Sequence, residues 1–294
     1  MSDSTTTETI IVIGASSLIA QAFITKTFTH QAYTDQAVIQ QASSQQSNRH
    51  DTSPLQIITV SRQNKLILHE LTDNISHHHF SCDYQQASIE QCVTNIATIA
   101  GKVTRIVMCN GILHSKNLQS ADSTLGPHSA KDSTLMPEKR IEDIDALSLE
   151  QLFYANSIVP MLWLSALTLL LSLPRHKVTG EQKCVISILS ARVGSISDNR
   201  LGGWYGYRAS KAALNMLIKT TAVEYARRLK RVKLIAFHPG TTDTPLSKPF
   251  QANVPAGKLF TPEFVASQLY NIMADIEPNG EASYLDWQGK EISW

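Results

Sequence analysis

Short runs of β-branched and apolar residues, each stopped by a turn residue and followed by a helix-length stretch, recur through this chain and restrict its architecture. Ile10–Gly14, Leu55–Ser61, a short run around His79–Asp83, Arg105–Asn110, Cys184–Ser190 and Val232–His238 read as strands. Between them stand a helix reaching about His30, one from Ser88, a long one after Leu149 and one around Tyr207. Strands that are apolar along their whole length must be covered on both faces. Strand–helix alternation then gives right-handed crossovers and a parallel sheet. The expected fold class is α/β, a doubly wound parallel sheet with helices on both faces, in one domain spanning 1–294.

Composition narrows the function. Charged residues are 17% of the 294 and the net charge is +1, so no electrostatic footprint for nucleic acid or an anionic membrane is present. Cys82, Cys92, Cys109 and Cys184 lack C-x-x-C spacing and read as small buried hydrophobes in a reducing compartment. The polar, acidic start Met1–Glu8 is not a secretory signal, and a cytoplasmic location is expected. Gln151–Pro174 carries no charge. Its apolar core, Ile158–Leu173, is shorter than the roughly 20 residues of a membrane span and reads as a buried helix. Two stretches read as surface insertions: 31–53, rich in Gln and Ser, and 114–137, with Asp-Ser-Thr-Leu at Asp122 and again at Asp132. His77-His78-His79 has no Cys or carboxylate at ligand spacing, so no metal site is expected.

Ligands of such sheets bind at the carboxyl ends of the strands, and the chemically informative residues cluster there. Tyr207 and Lys211 are one helical turn apart on one face. A nearby ammonium favours an ionised phenol, so Lys211 is expected to lower the Tyr207 pKa from about 10 towards neutrality. Such a phenol gives or takes a proton in carbonyl reduction. Ser190 ends a buried strand, Asn156 precedes the long apolar helix, and Val232–His238 is stopped by Pro239-Gly240.

Together these segments resemble the short-chain dehydrogenase/reductase family. The run from Ser190 through Gly202-Gly203-Trp204-Tyr205-Gly206-Tyr207 to His238–Thr244 is similar to its C-factor-like branch. The resemblance implies a Rossmann-type sheet and hydride transfer between a nicotinamide and a carbonyl or alcohol substrate. It makes Tyr207 the acid/base and gives Lys211 the nicotinamide ribose. Ser190 hydrogen-bonds the substrate oxygen, and Asn156 orders a water in the proton relay. The Ser190–Tyr207 spacing exceeds the family's usual one by a Gly-Gly-Trp loop shared with the C-factor-like branch. In the family the long apolar helix packs on its copy, so a homodimer is expected.

The cofactor loop departs from the family's G-x-x-x-G-x-G. It reads Gly14-Ala15-Ser16-Ser17-Leu18-Ile19-Ala20, with only the first glycine kept. Leu18 stands where the family's glycine lets backbone approach the phosphates. Gly14, Ser16, Ser17 and Ile19 are the expected contacts there. Arg62, with no acidic neighbour, favours NADP(H) over NAD(H), since a guanidinium pairs with a 2′-phosphate; the alternative is an ordinary exposed arginine. Asp83 resembles the adenine contact, and Asn110-Gly111 the turn after the fourth strand. Pro239, Gly240, Thr242 and Thr244 resemble the loop at the nicotinamide. Trp204, Leu246, Phe250 and Phe260 suggest an apolar substrate pocket. Two functions stay open: an oxidoreductase, favoured by the complete tetrad, and a signalling or regulatory protein that keeps the fold with weak or absent cofactor binding.

Overall fold

The computed structural model describes residues 7–44, 54–66, 74–114, 135–174 and 182–294. The first half runs β1 (Glu8–Ile13), α1 (Leu18–Ser44), β2 (Leu55–Ser61), β3 (Ile75–Ser81), α2 (Gln86–Ile99) and β4 (Lys102–Met108). The second runs α3 (Ala146–Phe153), α4 (Val159–Ser172), β5 (Cys184–Leu189), α5 (Tyr205–Arg228), β6 (Val232–His238), the short pair β7 (Thr241–Thr242) and β8 (Leu259–Phe260), α6 (Pro262–Asp275) and β9 (Ser283–Asp286). The main sheet has the order β3-β2-β1-β4-β5-β6-β9, with every pairing parallel. This is a Rossmann-type doubly wound sheet. Its order reverses between β1 and β4, which opens a crevice at their carboxyl ends.

Strand alternation builds two cores. Ile11 and Ile13 of β1, Ile106 and Met108 of β4 and Ile186 and Ile188 of β5 face α2, α4 and α5. Ile10, Val12, Val107, Val185 and Ile235 face α1 and α6. Successive side chains point to opposite sheet faces, so an uninterrupted apolar run satisfies both cores at once. All four cysteines are buried and unpaired by disulfides.

Several boundaries differ from those expected. The first helix continues past His30 to Ser44, because 31–44 holds no glycine or proline and is rich in Ala and Gln. The expected insertion 31–53 is therefore helical up to Ser44; 45–53 lie outside the described residues, as do 115–134 of the other insertion. The third strand is Ile75–Ser81 rather than His79–Asp83. Its polar sequence pairs along β2, with Thr59 Oγ1 bonded to His77 Nε2 at 2.8 Å and to His79 Nδ1 at 2.9 Å. The elements α6 and β9 were not anticipated.

Residues Ala146–Ser172 form one continuous helical rod, long and apolar enough by length and composition to cross a membrane. In the fold, α4 instead packs against α2 and α5, burying Trp163, Leu164, Leu167, Leu170 and Leu171. Ile158 and Leu169 stay exposed. Between α3 and α4, Tyr154–Ile158 widen into a π-helical turn, with the Val159 N–H donating to the Tyr154 carbonyl.

Candidate active site

The carboxyl ends of β4, β5 and β6 and the start of α1 open into one cavity of about 520 Å³. Ser190, Tyr207 and Lys211 line it. Ser190 extends β5, and its Oγ donates to Asn215 Oδ1 at 2.6 Å. Tyr207 and Lys211 lie on the first two turns of α5, both buried. Lys211 Nζ donates to the Leu189 carbonyl at 2.9 Å and lies 5.9 Å from the Tyr207 ring centroid. The ammonium is thus anchored at the end of β5, beside the phenol.

Asn156 sits just behind the cavity on the π-helical turn. Its Oδ1 accepts the Ile112 N–H at 2.8 Å, and its Nδ2 donates to the Ile112 carbonyl at 2.9 Å and to Ser210 Oγ at 3.1 Å. This side chain ties the segment after β4 to α5. Gly111 leaves the room: a Cβ there would lie 3.1 Å from Asn156 Oδ1 and 3.4 Å from Lys211 Nζ.

The electrostatics correct one expectation. Burial raises the Tyr207 pKa above that of a free phenol, with a further contribution from the Tyr284 phenol. Burial also lowers the Lys211 pKa to about 8. Desolvation disfavours both charged forms, and here it outweighs the lowering of the phenol expected from the ammonium. The uncharged phenol is therefore the resting form, suited to donating a proton.

The residues expected to hold a cofactor fall into two groups. Ser16, Ser17, Ile19, Asn110, Gly111, Pro239, Gly240, Thr242 and Thr244 line the cavity, and Gly14 turns beneath it with φ +76°. A Cβ on Gly14 would meet the Cys109 carbonyl carbon at 2.9 Å, so this glycine is required where β1 passes β4. Ser17 Oγ accepts the Ala20 N–H at 3.2 Å and caps α1, so its oxygen is already engaged by the helix. Leu18 is 40% exposed and lines the cavity at the helix start. Arg62 and Asp83 are exposed and stand outside the cavity lining. The buried Asn110 Oδ1 has no hydrogen-bond partner among the described residues.

Of the expected apolar pocket residues, Trp204, Leu246 and Phe250 line the cavity, with the Trp204 and Phe250 ring centroids 5.1 Å apart. Phe260 does not line it; its ring packs against Phe264 and Trp287, where a Cβ on Gly240 would meet it at 2.7 Å. Residues the sequence reading missed are Asn215, Tyr284 and His238. Asn215 could have been found, because it lies one turn beyond Lys211 on the same face. Tyr284 reaches in from β9 to donate to the Ala191 carbonyl at 2.5 Å. His238 lines the cavity with a buried Nδ1 that has no hydrogen-bond partner among the described residues, and burial lowers its pKa to about 4, helped by Arg192 and opposed by Asp286.

The switch-point crevice of this Rossmann-type sheet thus carries a buried phenol beside a buried lysine. A family model described as "short chain dehydrogenase" matches residues 138–255. The C-signal of Myxococcus xanthus is 28% identical over 152 residues, covering 52% of this chain and 82% of that protein. A benzil reductase ((S)-benzoin forming) of Bacillus cereus is 28% identical over 168 residues, covering 52% of this chain and 64% of that protein. The fold matches that of an NADPH-bound carbonyl reductase from chicken fatty liver with a TM-score of 0.65 at 17% identity, over 97% of this chain and 98% of that one. The chain is thus similar to short-chain dehydrogenases over residues 138–255, and its fold is theirs.

Proposed function

We propose that this protein is an NADP(H)-dependent reductase of apolar carbonyl compounds, with Tyr207 as the proton donor. The observation that carries the reading is the convergence of Ser190, Tyr207 and Lys211 on one cavity walled by Trp204, Leu246 and Phe250. The residues fit a dinucleotide: an open helix start at α1, the glycine turn at Gly14 and the unpartnered Asn110 Oδ1 all lie along one side of the crevice. When bound, the nicotinamide supplies the hydride. Tyr207 gives the proton to the substrate oxygen, Ser190 hydrogen-bonds that oxygen, and Lys211 holds the nicotinamide ribose. Asn156 keeps the segment after β4 against α5 and carries the relay to solvent. Arg62 receives the 2′-phosphate, and Asp83 the adenine. NADP-bound and NADPH-bound structures of similar fold support the cofactor choice.

The exposed apolar residues Ile158, which ends the turn before α4, Leu169 on α4, and Met216 and Val223 on α5 support a homodimer through these helices; a cytoplasmic location belongs to the same reading. One observation favours a second reading, a signalling protein without turnover. Leu18 lines the cavity at the helix start, where a phosphate-binding loop of the family carries glycine, and the C-signal of Myxococcus xanthus is a relative. Fluorescence titration with NADPH, followed by a screen of aldehydes, ketones and quinones, separates the two. Absence of binding up to millimolar NADPH would favour the signalling protein. Tyr207→Phe should lower turnover by about 10²–10⁴-fold and leave NADPH affinity within a few-fold, because it removes a proton donor and little packing. A variant keeping more than roughly a tenth of the rate would exclude Tyr207 as the acid.

A further inference from the structure

The helix that carries Tyr207 begins without a cap of its own. Its N-cap is Trp204, whose indole cannot accept a hydrogen bond. Gly202, Gly203 and Trp204 hold φ of +64°, +65° and +55° in succession, a left-handed turn that tryptophan adopts only under constraint. The constraint comes from Glu138, far away in sequence. The Glu138 carbonyl accepts the Trp204 N–H at 2.6 Å. Its carboxylate, 5% exposed, accepts the Gly206 N–H with both oxygens, at 3.3 and 3.2 Å. Gly206 permits this approach, since a Cβ there would stand 2.8 Å from Oε1. Arg208 closes the turn from the other side, with Nε donating to the Gly203 carbonyl at 2.8 Å.

Among the described residues no Lys, Arg or His side chain forms an ion pair with Glu138. A buried carboxylate without a cation is costly unless hydrogen bonds and a helix N-terminus offset it. Here the N-terminus that does so carries Tyr207 as the next residue. Trp204 in turn sets its ring edge-on to Tyr207, with centroids 6.2 Å apart and planes at 72°.

We propose that Glu138 is a positioning residue of this site. It clamps the left-handed turn to the first turn of α5, and so fixes both the Tyr207 phenol for proton transfer and Trp204 as the wall against which the substrate lies. The proposal rests on the reading of Tyr207 as the proton donor. Fraying of that turn moves the phenol off the reacting oxygen, and small displacements there cost rate more than binding.

The test compares Glu138→Gln, which keeps a neutral acceptor for the Gly206 N–H, with Glu138→Ala, which keeps none. The probes are benzil and diacetyl, an aryl and a small aliphatic diketone, each reduced with NADPH. Glu138→Ala should lower kcat about ten-fold with the KM for NADPH within about two-fold, and should cut the preference for benzil several-fold. Glu138→Gln should recover kcat to within about three-fold. Amide hydrogen exchange at Gly206 and Tyr207 should quicken in the Ala variant while β5 and β6 keep their protection. Wild-type kcat and preference in a folded Ala variant would overturn the proposal, as would equal losses in both variants with unchanged exchange. Should the Ala variant not fold, Glu138→Asp, which withdraws the carboxylate by one methylene, carries the same expectations. Turnover surviving Tyr207→Phe would sink the reading of the acid, whereas exchange and substrate preference would still judge Glu138.

Discussion

Replacing Leu18 by glycine should separate stability from cofactor affinity, moving them in opposite directions. Leu18 is the first residue of α1, and its side chain is 40% exposed. The N–H groups at the start of a helix have no intrahelical partner, and they are the natural seat for a pyrophosphate. The Ala20 N–H is taken by Ser17 Oγ at 3.2 Å, which leaves the groups beside the Leu18 side chain for a ligand. Removing the side chain admits a phosphate to one further charge-assisted hydrogen bond, about 1.5–3 kcal/mol, against about 0.5–1 kcal/mol for the added glycine. The net gain is about 1 kcal/mol, several-fold in affinity. Stability should fall by roughly 1.5–2.5 kcal/mol, from the packed part of the leucine and the freer backbone. Fluorescence titration with NADPH and urea melts on both proteins measure the two effects. Unchanged, tight binding in both would mean that the phosphates do not pass Leu18, and the steric reasoning would fail. No binding in either would favour the signalling protein.

Arg62→Ala should weaken NADPH by about 1.5–3 kcal/mol and leave NADH nearly unchanged; equal weakening of both, or of neither, would remove Arg62 from the 2′-phosphate. Gly14→Ala should cost about 2–4 kcal/mol in a urea melt, since it combines φ +76° with a Cβ 2.9 Å from the Cys109 carbonyl carbon. Acid should destabilise the fold through His238, whose folded pKa of about 4 lies below its unfolded value. The unfolded chain then binds the extra proton first, so stability is present above about pH 6.5 and is lost as the pH falls through 4, by roughly 3 kcal/mol at most. His238→Asn should flatten that slope only in part, because burial also holds His77 near 4.

Much of this was legible because the sheet is covered on both sides. Ile10–Ile13 and Cys184–Leu189 serve two cores at once, and that demand leaves an apolar run no surface strand would have. Tyr207 and Lys211 were legible as neighbours on one helix face through their spacing, and as a pair of consequence only in the company of Ser190, Asn156 and the Pro239-Gly240 turn. β3 was misplaced because it sits at the sheet edge and is written in histidines, whose partners are a hydroxyl on β2 rather than an apolar core. The direction of the Tyr207 pKa was missed for a different reason: spacing reveals a neighbouring charge, whereas desolvation depends on everything else packed around the phenol. Glu138 illustrates the same limit. It lies 68 residues from the N–H it caps, and no periodicity links them.

The wide turn at Tyr154–Ile158 has a consequence for how this chain can change. On a regular helix, neighbouring residues diverge by about 100° and cannot both address one point across an interface. Here Asn156 and Ser157 both reach Ser210, one through its hydroxyl at 3.1 Å and the other through its carbonyl at 2.6 Å. A π-helical turn accommodates one residue more than the α-helix around it. That extra residue makes the double latch between the wide turn and α5, and it also sets the phase of every apolar residue that follows on α4. Losing a single residue from 154–158 would release one half of the latch and rotate Trp163 and Leu167 out of the core together, so this stretch tolerates altered letters better than an altered count.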